Sequence, residues 1–105
     1  MLELNLLDLS WNKLTSGLPV EIYKCTHMSH LDLNNNNFSR TIRTWFGDFR
    51  GLGELKLSFN EFNVTITYRL GNCTSLLTLS LDNNKLWGSL PRQLGNLVSL
   101  NVLYL

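Results

Sequence analysis

Apolar and polar positions along this chain recur with a fixed stride. Leu7, Leu31, Leu55, Leu79 and Leu103 lie 24 residues apart, as do Leu9, Leu33, Leu57, Leu81 and Leu105. The same stride joins Asn12, Asn36, Asn60 and Asn84, and then Leu14, Phe38, Phe62 and Leu86. It continues through Leu18, Ile42, Ile66 and Leu90, through Ile22, Phe46, Leu70 and Leu94, and through Cys25, Phe49, Cys73 and Leu97. Met28, Leu52, Leu76 and Leu100 complete eight columns that hold without an insertion or deletion. The alternation Leu31-Asp32-Leu33 reads as a short strand with its leucines inward. Stacked at about 4.8 Å, such strands predict one parallel sheet along a solenoid. Each column Asn falls where the chain turns away from the sheet. A buried amide there can bond otherwise orphaned backbone groups and pass hydrogen bonds to the next repeat, so these Asn read as scaffold. Repeats are expected at about 4–27, 28–51, 52–75 and 76–99, with a partial one at 100–105, in a single domain over 1–105.

The pattern L-x-x-L-x-L-x-x-N-x-L is the leucine-rich repeat signature, within its usual 20–29-residue period. The second half of each repeat narrows the class. Leu18-Pro19 and Leu90-Pro91 follow the column Asn by six residues, Gly88 precedes Leu90 by two, and Gly71-Asn72 and Gly95-Asn96 follow Leu70 and Leu94. The stretch from Leu79 to Val102 closely resembles the plant-type repeat LxxLxLxxNxLxGxIPxxLGxLxx. That repeat is found in plant receptor-kinase ectodomains, receptor-like proteins and polygalacturonase inhibitors. GLGELKLSFNEF, GNCTSLLTLSLDNN and GNLVSLNVLYL are similar to late repeats of the GASSHO subgroup of peptide-sensing receptor kinases. The implied fold is an α/β leucine-rich-repeat solenoid, with short parallel strands on the concave face and 3-10 or irregular turns on the convex side. Its ends are expected to be uncapped, because no cysteine-bearing cap occurs and the chain starts and stops within a repeat.

Some positions depart from that pattern. Ser16, Arg40 and Val64 stand where the repeat has Gly, and Arg43 and Thr67 where it has Pro. A β-branched Val resists backbone geometries that Gly tolerates, so Val64 is expected to strain its turn or to become plain strand. Residues 63–67 read as such a strand, part of a second short sheet. These departures read as drift, not as a site.

Composition sharpens the picture. Of 105 residues 24 are Leu and 13 Asn, and there is no Ala. Twenty Leu fall in the columns, so the Leu excess is architectural. Nine Lys and Arg against eight Asp and Glu leave a net charge of +1, which makes no case for nucleic acid. No apolar run is long enough to cross a membrane, and Glu3 and Asn5 interrupt any leader. Cys25 and Cys73 share a column two repeats, about 10 Å, apart, too far for a disulfide, so buried thiols are expected. Two Cys and two His share no ligand spacing, and no metal or other cofactor is expected. Three sequons begin at Asn37, Asn63 and Asn72 and are glycosylation candidates, Asn72 foremost.

Outward strand positions carry whatever a ligand would meet. The candidate contacts are Asp8, Trp11, His30, Asp32, Asn34, Glu54, Lys56, Phe59, Ser80 and Asp82. Trp11 and Phe59 share a column and could grip apolar side chains, while the resemblance equally implies partly packed turn residues, since aromatics occur at this position in such repeats. In the strand half, Asp8, Asp32, Glu54, Glu61 and Asp82 oppose Lys13, Lys56 and Lys85, a mildly acidic face. Arg40, Arg43, Arg50, Arg69 and Arg92 are expected to face sideways or outward. His30 beside Asp32, with Ser10 or Ser58 nearby, superficially resembles a hydrolase triad but lacks an oxyanion donor or nucleophile elbow. No phosphate loop or dinucleotide fingerprint occurs, and nothing looks enzymatic.

The expected function is a non-enzymatic protein or peptide interaction module, derived from or cut from a receptor-type extracellular protein. The resemblance implies a cell-surface setting, a peptide or protein ligand and, in the parent architecture, a co-receptor. A polygalacturonase-inhibitor-like defence protein and a purely structural or ice-binding solenoid are the alternatives. Exposed apolar repeat faces at the two ends lead to an expectation of end-to-end self-association.

Overall fold

A computed structural model describes residues 3–39 and 48–105 of the chain. Five strands form one parallel sheet in chain order: β1 (Leu6–Asp8), β3 (His30–Asp32), β5 (Glu54–Lys56), β6 (Thr78–Ser80) and β7 (Val102–Tyr104). Two further strands, β2 (Thr15–Ser16) and β4 (Asn37–Phe38), pair in parallel as a second sheet. In the main sheet Leu7 pairs with Leu31, Leu31 with Leu55, Leu55 with Leu79 and Leu79 with Leu103. The 24-residue stride is therefore the hydrogen-bond register itself.

The opposite side carries 3-10 helices at Val20–Lys24, Tyr68–Asn72 and Arg92–Asn96. Short helices suit a repeat that must return to the sheet within one turn. Pro19 and Pro91 stand at two of the N-caps, and Thr67 holds the same place at the third. Its hydroxyl accepts the Arg69 amide at 3.3 Å. Thr67 thus replaces a preset proline φ with a side-chain cap, so this departure from the repeat is compensated rather than drift. Arg40, Ile42, Arg43 and Phe46 lie outside the described residues.

The interior is the set of columns. Leu31, Leu33, Leu55, Leu57, Leu79 and Leu81 are buried behind the sheet, with Met28, Leu52, Leu76, Cys25, Phe49 and Cys73 beneath them. Phe38 and Phe62 stack with ring centroids 6.3 Å apart. Cys25 and Cys73 are buried thiols, and burial pushes the Cys73 thiol up to about 11. Not every column member is inside. Leu14, Leu90, Leu103 and Leu105 are exposed, because no described turn stacks against their outer sides. The inward reading of those columns holds only where a turn has neighbours on both sides.

The Asn column makes the lateral connection. Asn60 Nδ2 donates to the Leu33 carbonyl at 2.8 Å, and its Oδ1 accepts the Phe38 amide at 3.1 Å. Asn36 repeats this on Leu9 and Leu14, and Asn84 on Leu57 and Phe62. Each amide therefore ties its turn to the preceding one, the reverse of the expected direction, because the side chain leans back over the turn already formed. Among the described residues the Asn12 side chain bonds within its own turn alone, to the Leu9 and Ser10 carbonyls.

The expected strand at 63–67 does not form. Val64 adopts neither strand nor the left-handed backbone that Ser16 (φ 67°) and Gly88 (φ 85°) take in the same column. Part of the ladder persists there, with Lys85 N donating to Phe62 O and Trp87 N to Val64 O. Single hydrogen bonds cross at this flank without the paired ones that define a strand. Val64 stays half-buried against the core, and its packing is served by a bend.

Candidate functional site

Because Leu7, Leu31, Leu55 and Leu79 turn inward, the residues on either side of each turn outward and line up across the sheet. Leu6, His30, Glu54, Thr78 and Val102 make one row, and Asp8, Asp32, Lys56, Ser80 and Tyr104 the next. An open groove of about 350 Å³ lies over the later strands. It gathers Asn34, Glu54, Lys56, Phe59, Ser80 and Asp82 from the candidate set, together with Asn35, Ser58, Thr78 and Tyr104. Asp8, Trp11, His30 and Asp32 share the face but lie outside that groove. Small floor residues between two aromatics create it: Ser80 is only 5% exposed, whereas Phe59 and Tyr104 are about half exposed. Ser80 is floor rather than an outstretched contact.

Several outward polar groups are committed to the scaffold. Asp8 Oδ1 accepts both the amide and the hydroxyl of Ser10, at 2.9 and 2.5 Å. Asp32 Oδ1 accepts the Asn34 amide at 3.0 Å, and Asn34 Oδ1 accepts the Ser58 amide at 2.7 Å. The Ser58 hydroxyl donates to Asp82 Oδ1, while Asn83 Nδ2 donates to Asp82 Oδ2 at 2.8 Å. A polar chain thus crosses three successive turns. The Ser58 hydroxyl bond, with help from Asn83, holds the Asp82 carboxyl below its usual range against the opposing effect of burial. The two Ser10 bonds, with a smaller attraction from Lys56, do the same for Asp8. His30 Nδ1 meets the Ser29 hydroxyl at 2.9 Å. Since Ser10 and Ser58 give their hydroxyl protons to aspartates, the hydrolase-like constellation is not assembled. Among the described residues no group of three or more His, Cys, Asp or Glu could hold a metal ion.

One feature of this face escaped the sequence reading. The residue before each column Asn is left-handed: Trp11 and Phe59 at φ 57°, Asn35 at 61° and Asn83 at 57°. The turn must reverse there while its amide still feeds the ladder. Trp11 N donates to Asn34 O, Asn35 N to Ser58 O, and Phe59 N to Asp82 O, at 3.0 to 3.1 Å. Asn is among the few side-chain-bearing residues that tolerate this backbone. Its presence at 35 and 83 was the available signal, and the two aromatics masked it.

The remaining candidates lie elsewhere. Asn37 on β4, Asn63, and Asn72 at the end of its 3-10 helix are all exposed, and none belongs to the main sheet. Arg50, Arg69 and Arg92 are also exposed, with Arg69 lying 5.9 Å from the Tyr68 ring centre. Glu61 and Lys85 pair at 2.7 Å, which withdraws two charges from the face. No helix among the described residues is long and apolar enough to cross a membrane.

Known proteins sharing this geometry include plant receptors. The ectodomain of the receptor kinase GASSHO1/SCHENGEN3 from Arabidopsis thaliana, solved with CASPARIAN STRIP INTEGRITY FACTOR 2, superposes with a TM-score of 0.91 and 48% identity. It covers 97% of this chain, which spans 13% of that one. The plant peptide hormone receptor RGFR1, in complex with RGF2, gives 0.93 and 36% identity over 97% of this chain and 16% of its own. The Arabidopsis receptor kinase HAESA, with the peptide hormone IDA and the co-receptor SERK1, gives 0.90 and 40% identity over 95% and 17%. No curated protein sequence matches. The Leucine Rich Repeat family matches residues 3–25, 27–49 and 75–97, and the chain belongs to that family.

Proposed function

We propose that this chain is a protein-interaction module that binds a short extended peptide across the outward face of its main sheet. The observation carrying this reading is that face itself. Rows of unlike side chains, including His30, Glu54, Lys56 and Tyr104, stand in strict register over an invariant leucine floor. A structural ladder needs uniform rows, whereas recognition needs varied ones. The similar ectodomains solved with peptides support the same reading. Five strands span about 19 Å at 4.8 Å spacing, enough for about six residues of extended peptide at 3.3 Å each. An extracellular setting, N-glycans on Asn37, Asn63 or Asn72, and a co-receptor beside the peptide belong to this proposal. So does its single-domain repeat division.

Selection from a displayed library of random dodecapeptides tests it, with Glu54→Lys and Lys56→Glu proteins as counter-screens. Binders are expected that lose at least tenfold in affinity for one of the charge-reversed proteins. A library yielding none, or binders indifferent to both changes, would overturn the proposal.

A further inference from the structure

Trp11 and Phe59 stand against their own backbone. Both adopt φ 57° in a column whose other members, at the same conformation, are Asn35 and Asn83. Asn accommodates the left-handed region, and a bulky aromatic resists it. Packing does not compensate, because Trp11 is 78% and Phe59 52% exposed. Strain at exposed aromatics, repeated on alternate turns, is the kind that persists where it serves contact with a ligand.

Their spacing selects the ligand's conformation. The backbone ladder through Trp11, Asn35 and Phe59 continues the sheet, so the aromatics lie two strand spacings, about 9.6 Å, apart. A polyproline II chain has three residues per turn and rises about 3.1 Å per residue, which puts side chains i and i+3 on one face about 9.3 Å apart. A β-strand puts same-face side chains about 6.8 or 13.6 Å apart and matches neither aromatic pair position. A helix reaches about 10.5 Å at i and i+7, but it would place an intermediate side chain over Asn35. The polyproline chain has no internal hydrogen bonds, so its carbonyls remain open to a polar side chain such as Asn35. Charge completes the match. With Glu61 and Lys85 paired to each other, Asp8, Asp32, Glu54 and Asp82 outnumber Lys13 and Lys56 in the strand half of the repeats. The groove beside Phe59 sets Glu54 and Asp82 against Lys56, a net negative charge, and is closed by the Tyr104 ring, a seat for a cation.

Building on the peptide-binding reading above, we propose that this face takes a basic peptide in the polyproline II conformation. Apolar side chains i and i+3 of that peptide rest on Trp11 and Phe59, and an adjoining Arg or Lys enters the groove between Phe59 and Tyr104.

Three sets of synthetic fluorescent peptides test this, each with one Arg and two Leu. The Leu sit at i and i+3 in a proline-rich background, at i and i+2 in a Val/Thr background, or at i and i+7 in an Ala/Lys helical background. By fluorescence polarisation the proline-rich set is expected to bind at least tenfold more tightly than either other set. Trp11→Asn and Phe59→Asn should each weaken that binding about tenfold while leaving the thermal midpoint unchanged or raised. Preference for another set, undiminished binding by the Asn proteins, or a lowered midpoint in them would each overturn the proposal. Should dodecapeptide selection yield face-dependent binders while all three sets fail, this inference falls and the peptide-binding reading stands. Failure of both removes both.

Discussion

Replacing Asn60 by Ala probes the lateral connection where it is most buried. Asn60 is 5% exposed and holds four backbone groups: the Leu33, Leu57 and Ser58 carbonyls and the Phe38 amide. They are not equally dependent on it. Leu33 O also accepts from Asn36 at 3.3 Å, Leu57 O from Asn84 at 2.8 Å, and Ser58 O from the Asn35 amide at 3.0 Å. The Phe38 amide instead loses the acceptor it points at, inside the core. One stranded buried amide costs about 1–3 kcal/mol, and the weakened bonding at Leu33 adds about 1 kcal/mol, for a total of about 2–4 kcal/mol. In a domain of this size that lowers the thermal midpoint by about 10–20 °C. Asn12 is the internal control, since it is exposed and its side chain, among the described residues, bonds only to the Leu9 and Ser10 carbonyls of its own turn. Asn12→Ala should cost no more than about 0.5 kcal/mol. Urea unfolding followed by circular dichroism gives both numbers. Equal losses at the two positions would show that the amides act within turns, and the account of lateral coupling would be wrong.

Gly71 and Gly95 share a column, yet an added Cβ at Gly71 would lie 2.5 Å from the Gln93 carbonyl oxygen while one at Gly95 meets nothing within 4 Å. Gly71→Ala is therefore expected to cost about 1–3 kcal/mol in thermal or urea unfolding, and Gly95→Ala to be neutral or mildly stabilising; equal effects would refute the close approach of the two 3-10 helices. The Ser58 hydroxyl lowers the folded-state pKa of Asp82, so this bond stabilises the fold above the usual carboxylate range and fades as pH falls through the lowered value. Ser58→Ala should consequently destabilise at pH 7 and converge on the unsubstituted protein at acidic pH below the usual carboxylate range; a constant difference in urea midpoint would refute the assignment. Expressed through a secretory pathway, the protein should carry a glycan at Asn72, read as a mass step removed by Asn72→Gln; an unchanged mass at that site would refute its accessibility.

The sequence and the fold coincide where one physical requirement repeats. Every interior turn needs two inward Leu and one amide, so those columns can be read from stride alone, and the pairing of Leu31 with Leu55 follows it residue by residue. The reading weakened where one side chain could meet a requirement in more than one way. Thr67 caps a helix that Pro91 starts by its fixed φ, and the two look unrelated in the sequence. The strand expected at 63–67 was a propensity argument from Val, Thr and Ile, and tertiary packing of Val64 in a bend overrode it. The left-handed column was hidden for a related reason. Asn35 and Asn83 announce it, but Trp11 and Phe59, which take the same backbone, do not.

That difference also sorts the outward face. Asp8, Asp32, Asn34 and Asp82 look like recognition residues in the sequence, yet each makes a hydrogen bond that shapes a turn or joins two. Changing any of them alters the scaffold along with the surface, so loss of binding there would be ambiguous. Glu54, Lys56, Thr78 and Tyr104 line the groove outside that polar chain, and Trp11 and Phe59 oppose the local backbone preference. At these positions stability and recognition separate. Relieving the strain at Trp11 or Phe59 with Asn should leave the fold as stable or more so, whereas relieving nothing at Ser58 with Ala should weaken it. A face used only as scaffold would gain from Asn in all four turns. Its retention in just two of them, with exposed rings in the others, is the arrangement expected when contact with a partner outweighs backbone ease.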